Sequence, residues 1–305
     1  MKSEKVSIVI TTFGRKKELK RSLKSALNQT YENIEIIIID DNIDIEYSEY
    51  IKGAVADFND KRIVYKKNKS NLGGALSRNE GIKFASGKYV AFLDDDDEYL
   101  PEKVEKQLAI FEKDRSKKIA LVYCYCDGIK DGKVKDQYRY DYKGNCLFDA
   151  MRMSIAATTQ WMCRKEALLS VGGFTDMPCK QDSYVMVKLL ANGYTIDRVP
   201  EVLSLYYDDE VPRISSKNAK KRILGETMLR DLCRQNYDKI SEEQQKEVEY
   251  TFACVLAPYF WDVGDGSSLA NMLKTVNRRM LSRRSLRVYW VLLKKCMRRL
   301  FVHQA

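Results

Sequence analysis

Histidine is almost absent, since the one copy among 305 residues is His303. The eight cysteines, at 124, 126, 146, 163, 179, 233, 254 and 296, form no CxxC pair. Neither a zinc framework nor a disulfide framework is patterned, and a reduced, cytoplasmic setting is expected. Nowhere do apolar residues run uninterrupted for the length of about 18 that a membrane-spanning helix needs. The opening MKSEKVSIVITTFGRKK lacks a long apolar region followed by a cleavage site, so no secretory signal is expected. Only five prolines and no low-complexity tract argue against disorder. What remains is an ordinary globular composition, 45% hydrophobic and 31% charged, with room for a large domain and an appendage of roughly 100 residues.

The net charge of +10 is unevenly placed. From Ser216 onward there are 18 Lys/Arg against 9 Asp/Glu, which leaves 35 against 34 before it. A neutral body is followed by a basic C-terminal part, and that asymmetry predicts two modules with different partners.

Val6–Ile10 is a short β-branched run that ends in Thr-Thr-Phe-Gly and reads as a buried strand. Lys16–Asn28 places Leu19, Leu23, Ala26 and Leu27 at helical spacing, and Ile34–Ile39 is a second continuous run halted by Asp40-Asp41. Strand, helix, strand is a βαβ unit, and continuous apolar strands imply a sheet covered on both faces. Ile63–Tyr65, Tyr89–Leu93 and Ile119–Tyr125 extend the sheet. A helix is expected over Leu76–Ala85, closed by a left-handed glycine at Gly87, and another from Pro101 to about Lys113. Three strands then end at Thr11-Thr12, Asp40-Asp41 and Asp94 to Asp97. Ligands of an open α/β sheet bind outside such carboxyl ends.

Phe92-Leu93-Asp94-Asp95-Asp96-Asp97 is the sharpest local signal. Consecutive carboxylates repel unless a cation is present, and Mg²⁺ or Mn²⁺ take oxygen ligands from one or two carboxylates plus substrate phosphates. An isolated acidic run reads equally as a solvated turn, but the preceding strand puts this one where a sheet ligand belongs. Asn71-Leu72-Gly73-Gly74-Ala75-Leu76-Ser77-Arg78-Asn79-Glu80-Gly81 is the second signal. Its paired glycines permit close backbone approach, and Arg78 offers a planar donor fork. It is neither a Walker loop nor GxGxxG.

Together these stretches resemble family 2 of the inverting glycosyltransferases with the GT-A fold, over residues 4–215. Ser7-Ile8-Val9-Ile10-Thr11-Thr12-Phe13-Gly14-Arg15 is similar to the family's opening strand and TYNR turn, with Phe13 and Gly14 replacing Tyr and Asn. Gln29-Thr30-Tyr31 with Ile36–Asp41 resembles QTYxxxEIIIVDD, and Asn71–Gly81 resembles NxGxxxARNxGI. Phe92–Asp97 resembles FLDxDD, and Gly172-Gly173-Phe174 resembles GGF. The resemblance implies an α/β, Rossmann-like mixed sheet of the nucleotide-diphospho-sugar transferase type. It assigns the base contact to Asp40 or Asp41, with Asp41 preferred, and lines the same pocket with Thr12 and Arg78. Arg15, Asn71 and Gly73 join the donor-binding set through the matched motifs. Asp94 is assigned to the ribose with a share in the metal, Asp96 to the Mn²⁺ or Mg²⁺, and Asp97 to support behind it. Asp95 holds the motif's variable position and is grouped with the donor loop without a role of its own.

An inverting transfer also needs a base on the acceptor side. The family carries it in an ED pair after GGF, and here that pair is Gln181-Asp182, so the resemblance makes Asp182 the base. An aspartate capping the helix Ser183–Leu190 is the structural alternative, and the two are compatible because a helix N-terminus favours negative charge. Many relatives place a histidine in a loop after the last core strand. Here that loop is Tyr206–Glu210, where Asp208, Asp209 or Glu210 either supplies oxygen to the metal or closes over the site without touching it. The predicted reaction moves a sugar from a nucleoside-diphosphate donor, UDP-linked, to a hydroxyl of a glycan or lipid-linked oligosaccharide in surface polysaccharide synthesis. A sugar nucleotidyltransferase and a non-catalytic scaffold are the rival readings. The loop Asp127–Asn145 and the region of Trp161 are expected to set acceptor choice.

Residues 216–260 read as helical, with Leu224, Met228, Leu232, Val248, Phe252, Val255 and Leu256 as a core stripe. Arg278–Arg299 holds nine Lys/Arg and no acid. On one helix, Leu286, Tyr289, Trp290, Leu293, Met297 and Leu300 share a face, with Arg287, Lys294 and Arg298 outside it. That pattern predicts docking of residues 278–301 on an anionic membrane surface, peripheral to its cytoplasmic face. A terminal helix packed on the body is the alternative, and no nucleic-acid-binding motif accompanies the basic run. The division is therefore drawn at 1–215 and 216–305, with the oligomeric state, homo-oligomer included, left open.

Overall fold

The computed structural model describes residues 4–208 and 218–302, with side chains through Met297. The chain divides into two compact units, one of Met1–Leu147, Ser154–Asp176 and Gln181–Val211, the other of Phe148–Met153, Met177–Lys180 and Pro212–Ala305.

The first unit is built on a mixed sheet. Its leading strands are β1 (Val6–Thr12), β2 (Ile34–Asp40), β3 (Ile63–Lys67) and β4 (Tyr89–Asp94), all parallel. Every residue of β2 is buried, as expected of a parallel strand covered on both faces. Next come β5 (Glu98–Tyr99), β6 (Ile119–Lys130), β7 (Lys133–Tyr138), β8 (Trp161–Arg164) and β9 (Thr195–Tyr207). The spatial order is β3-β2-β1-β4-β8-β6-β9-β5, with β7 paired to β6. Strand β8 runs antiparallel between β4 and β6. The register that matters for function pairs Thr12 with Asp40 and Thr11 with Asp94. Three strand ends therefore lie side by side.

Helices α1 (Lys17–Leu27), α2 (Ile45–Ala56), α3 (Gly73–Phe84), α4 (Lys103–Lys113), α6 (Lys165–Ser170) and α7 (Gln181–Ala191) belong to this unit, while α5 (Leu147–Arg152) runs into the second. Leu19, Leu23 and Ala26 of α1 pack into one apolar cluster with Ile8, Ile10, Ile36, Ile38 and Ile51. Helix α3 begins at Gly73, not Leu76, so the glycine-rich stretch is its first turn. Gly73 has φ +75°, a conformation that glycine adopts without steric cost. The expected left-handed cap at Gly87 is corrected, because Gly87 is not among the residues with positive φ. Its constraint is space, since a Cβ there would lie 2.7 Å from the Lys5 carbonyl oxygen and from Ser7 Oγ. Gly81 is constrained in the same way, as a Cβ would approach Val9 Cγ1 to 2.3 Å.

The second unit contains α8 (Ala219–Arg234), α9 (Glu242–Val263), α10 (Gly266–Asn277) and α11 (Arg283–Val302). Ser241 and Gln244 form a capping box on α9, and Gly264 closes it in the left-handed region. Leu224 departs from the expected stripe and is exposed, whereas Gly225, Leu229, Leu232 and Cys233 face inward. Helix α11 also departs from its expected single apolar face. Val288, Tyr289 and Leu292 pack with Ala253, Ala257 and Val276, while Leu286, Trp290, Leu293 and Met297 are exposed. A basic helix with two apolar sides replaces the one-sided helix. Among the described residues no helix is long and apolar enough to cross a membrane.

Glu35, the second residue of β2, shows how the sheet tolerates a buried acid. Burial pushes its carboxyl up, but hydrogen bonds from Ser7 and Ser86 together with Lys5 hold it down to about 2 against a usual 4.5. Replacing Glu35 with Ala is expected to cost about 2–3 kcal/mol at pH 7 in urea unfolding. The folded-state value lies below the unfolded one, so this contribution is complete above about pH 4.5 and disappears as pH falls toward 2. Wild type and variant should converge across that window.

Candidate active site

The site forms where β1, β2 and β4 end. Beyond β4, Asp94 to Asp97 make a tight turn closed by the Asp97 amide on the Asp94 carbonyl at 3.1 Å. Backbone groups of this turn are held from below. Ser22 Oγ donates to the carbonyls of Asp94 (3.2 Å) and Asp97 (2.5 Å), and Arg21 donates to that of Asp96 at 2.5 Å. The Asp94 amide donates to Thr159 Oγ1 at 3.1 Å. The neighbouring turn of Thr159 is pinned in its own right: Gln107 donates to the Gln160 carbonyl at 2.8 Å, and Lys103 to the Trp161 carbonyl at 3.2 Å. Lys103 is fully buried over the Tyr99 ring, and burial pushes its ammonium down to about 8.

The carboxylates are answered by arginines. Arg15 lies 2.9 Å from Asp96 and 3.6 Å from Asp95, and Arg78 donates to Asp94 at 2.6 Å. The Phe13 amide donates to Asp95 at 3.3 Å. Burial and then the charge of Asp96 push the Asp95 carboxyl up to about 7. Arg15 and Arg78 face four carboxylates here, an imbalance that a divalent cation would relieve. Among the described residues no three His, Cys, Asp or Glu side chains are grouped as a metal site. A cation held by one or two carboxylates and completed by substrate phosphates fits this donor set.

Asp40 and Asp41 are both buried. Asp40 accepts from Tyr65 at 2.6 Å and from the Asn42 side chain at 2.7 Å. Asp41 accepts from Asn68 and from the Leu72 and Gly73 amides, each at 2.8 Å. Asn71 donates to the Asp41 carbonyl at 3.2 Å, and the Asp41 amide donates to the Thr12 carbonyl at 3.0 Å. Asp41 thus braces the first turn of α3 against the ends of β1 and β2.

Asp182 lies in the first turn of α7, which starts at Gln181, so it is inside the helix and not its cap. Its Oδ1 accepts from the Ser183 amide at 2.7 Å. Arg78 joins this helix to the acidic turn, because Nη2 reaches Asp94 while Nη1 donates to Gln181 at 3.0 Å. Asn79, one residue on, exchanges two 2.8 Å hydrogen bonds with the backbone of Phe174. Asp208, 3.2 Å from Lys130 on the β6–β7 hairpin and half exposed, follows Tyr207, whose amide donates to Asp97 Oδ1 at 3.3 Å. Asp209 and Glu210 lie outside the described residues.

Sequence reasoning missed Arg21, Ser22, Asn79 and Thr159 as parts of this site. Ser22 carried a signal, as a small polar residue beside Leu19, Leu23 and Ala26 on the inward side of α1. Thr159 carried none.

Strand ends bearing Thr12, Asp40 and Asp94 thus meet an acidic turn that Arg78 ties to the first residue of the helix bearing Asp182. The model of glycosyl transferase family 2 matches residues 7–172, and the chain belongs to that family. It is 30% identical over 207 residues to an uncharacterized glycosyltransferase, MJ1057, of Methanocaldococcus jannaschii, covering 66% of this chain and 70% of that one. It is 38% identical over 112 residues to the Escherichia coli UDP-Glc:alpha-D-GlcNAc-diphosphoundecaprenol beta-1,3-glucosyltransferase WfaP, covering 37% of this chain and 43% of that protein. The fold resembles S. aureus TarS 1-349 in complex with UDP-GlcNAc, with TM-score 0.62, 15% identity and coverage of 90% and 92%. It also resembles the mannosyltransferase PcManGT of Pyrobaculum calidifontis in complex with GDP-Man and Mn²⁺, with TM-score 0.59, 16% identity and coverage of 94% and 84%.

Replacing Arg78 with Met strands a partly buried carboxylate and unties α7. A loss of about 1–3 kcal/mol is expected in urea unfolding, and Arg78→Lys should recover only part of it because a point charge cannot serve both acceptors.

Proposed function

We propose that this enzyme transfers a sugar, with inversion, from a UDP-linked donor to a hydroxyl of a glycan or lipid-linked oligosaccharide in surface polysaccharide synthesis. The observation that carries this reading is the Arg78 guanidinium, which ties the acidic turn to the first residue of the helix bearing Asp182. Donor and acceptor chemistry then meet in one place. The names of relatives support the substrate class: WfaP uses UDP-Glc and a diphosphoundecaprenol-linked acceptor, and TarS binds UDP-GlcNAc.

In this reading residues 1–215 form the catalytic domain and 216–305 an extension. Asp96, with Asp94, would hold Mn²⁺ or Mg²⁺, which would offset the charge that gathers on the departing diphosphate. Asp41 keeps the α3 turn in shape for the nucleotide, while Thr12, Arg15, Asn71, Gly73 and Arg78 line its pocket. Asp182 takes the proton of the acceptor hydroxyl as that oxygen attacks the anomeric carbon from the side opposite the diphosphate. The new glycosidic bond forms as the bond to the diphosphate oxygen breaks, and the anomeric centre inverts.

Turnover with UDP-, GDP- and dTDP-sugars and Mn²⁺ tests the reading. Nucleoside diphosphate should be released, whereas release of pyrophosphate would establish a nucleotidyltransferase. Asp182→Asn should lower transfer by about 10²–10⁴-fold with UDP affinity nearly unchanged, and Asp96→Asn should abolish Mn²⁺-dependent donor binding. Full transfer by Asp182→Asn would remove the base assignment.

The outward side of α11 supports attachment to an anionic membrane surface, on the cytoplasmic face. Leu286, Trp290, Leu293 and Met297 are exposed along one stripe, with Leu281 85% exposed just before the helix. Lys294 lies over the Trp290 ring at 3.5 Å. Aromatic and aliphatic groups flanked by cations suit the interface of an anionic bilayer. Trp290→Glu combined with Leu293→Glu should abolish co-sedimentation with phosphatidylglycerol vesicles while sparing donor hydrolysis. Unchanged sedimentation would leave the basic helix a solvated face.

A further inference from the structure

The two arginines on the acidic turn are used differently. Both terminal nitrogens of Arg78 have acceptors, Nη2 on Asp94 at 2.6 Å and Nη1 on Gln181 at 3.0 Å. Arg15 has Nη2 on Asp96 at 2.9 Å and Nε 3.6 Å from Asp95, but its buried Nη1 has no acceptor among the described residues. A shielded donor without an acceptor is a cost that folded proteins rarely leave in place. The residue carrying it is the counter-ion of the aspartate assigned to the cation. A guanidinium also sits well on diphosphate oxygens, which accept its parallel donors as a carboxylate does.

We propose that Arg15 couples cation binding to donor binding. In the free enzyme it neutralises Asp96 and holds off a lone divalent cation, because a guanidinium and a metal ion at one carboxylate repel. When the nucleotide sugar arrives, the diphosphate offers Arg15 the acceptors it lacks. The guanidinium moves to those oxygens, and Asp96 is released to the cation that enters with them. Nucleotide and metal therefore bind as one unit, and the acidic turn is not filled by cation alone. This rests on the assignment of the turn as the cation and diphosphate site. Its consequence is a binding order that the assignment by itself does not contain.

The gap between donor-free and nucleotide-bound metal affinity is the readout, and it needs no turnover. Free Mn²⁺ is measured by electron paramagnetic resonance in titrations of the full-length protein, with and without saturating UDP, for wild type, Arg15→Met and Arg15→Lys. Wild type should bind Mn²⁺ weakly alone and much more tightly with UDP. Arg15→Met should bind Mn²⁺ alone about tenfold or more tightly than wild type, with a correspondingly smaller gain from UDP. Arg15→Lys, which keeps the charge, should stay close to wild type without UDP, and it stands in if the Met variant does not fold. Donor-free affinity unchanged or weakened in Arg15→Met, or raised as much in Arg15→Lys, overturns the proposal and makes Arg15 a support that orients Asp96. If wild type takes up no Mn²⁺ even with UDP, the cation assignment itself fails.

Discussion

Four carboxylates in succession on one tight turn cannot be held together without opposing charge, and much of this site follows from that constraint. Arg15 and Arg78 reach the carboxylates, while Arg21 and Ser22 hold the turn's backbone carbonyls. Arg15 comes from the loop after β1, Arg21 and Ser22 from α1, and Arg78 from the distant α3, which the parallel sheet brings to the same edge. Arg15 and Arg78 stand against four carboxylates, and the Asp95 carboxyl is pushed up to about 7 by burial first and then by Asp96. Carboxylates crowded in this way suit a bound divalent cation.

The second unit is governed by a different balance. Glu249 accepts from Arg230 and Arg234, Asp262 pairs with Lys295, and Glu247 faces Arg152, Arg279 and Arg284. These few acids fix part of the basic charge in place. Arg283, Arg287 and Lys294 stand on the helix that also shows Trp290 and Leu293 to solvent. An exposed apolar stripe is costly in water, and cations beside it without an acidic partner among the described residues are of the kind that suits an anionic surface.

Much of the sheet was legible because its strands are nearly pure runs of β-branched residues. Ile34–Asp40 could hardly be anything but a covered strand, and the aspartates that halt such runs marked the functional edge. The glycine-rich stretch was legible as special but not as the first turn of α3, since leading glycines weaken helical patterning. Gly81 and Gly87 answer to close packing against Val9 and Lys5, contacts no local pattern encodes. Periodicity gave α11 one apolar face because it cannot tell which side a neighbouring helix will claim. Val276 and Ala257 settle that in three dimensions. Arg21, Thr159 and Gln181 act through long-range hydrogen bonds to the turn or to Arg78, and a single sequence does not reveal such pairings.

The account stands on a cation and a diphosphate meeting at the turn beyond β4, with Asp182 on the acceptor side of the same sugar. A crystal structure with UDP, Mn²⁺ and an unreactive donor analogue measures this directly. The account predicts Mn²⁺ coordinated by Asp96 and diphosphate oxygens, with the Asp182 carboxylate facing the anomeric carbon opposite the diphosphate. A cation absent from residues 94–97, or an Asp182 directed away from that carbon, would contradict it.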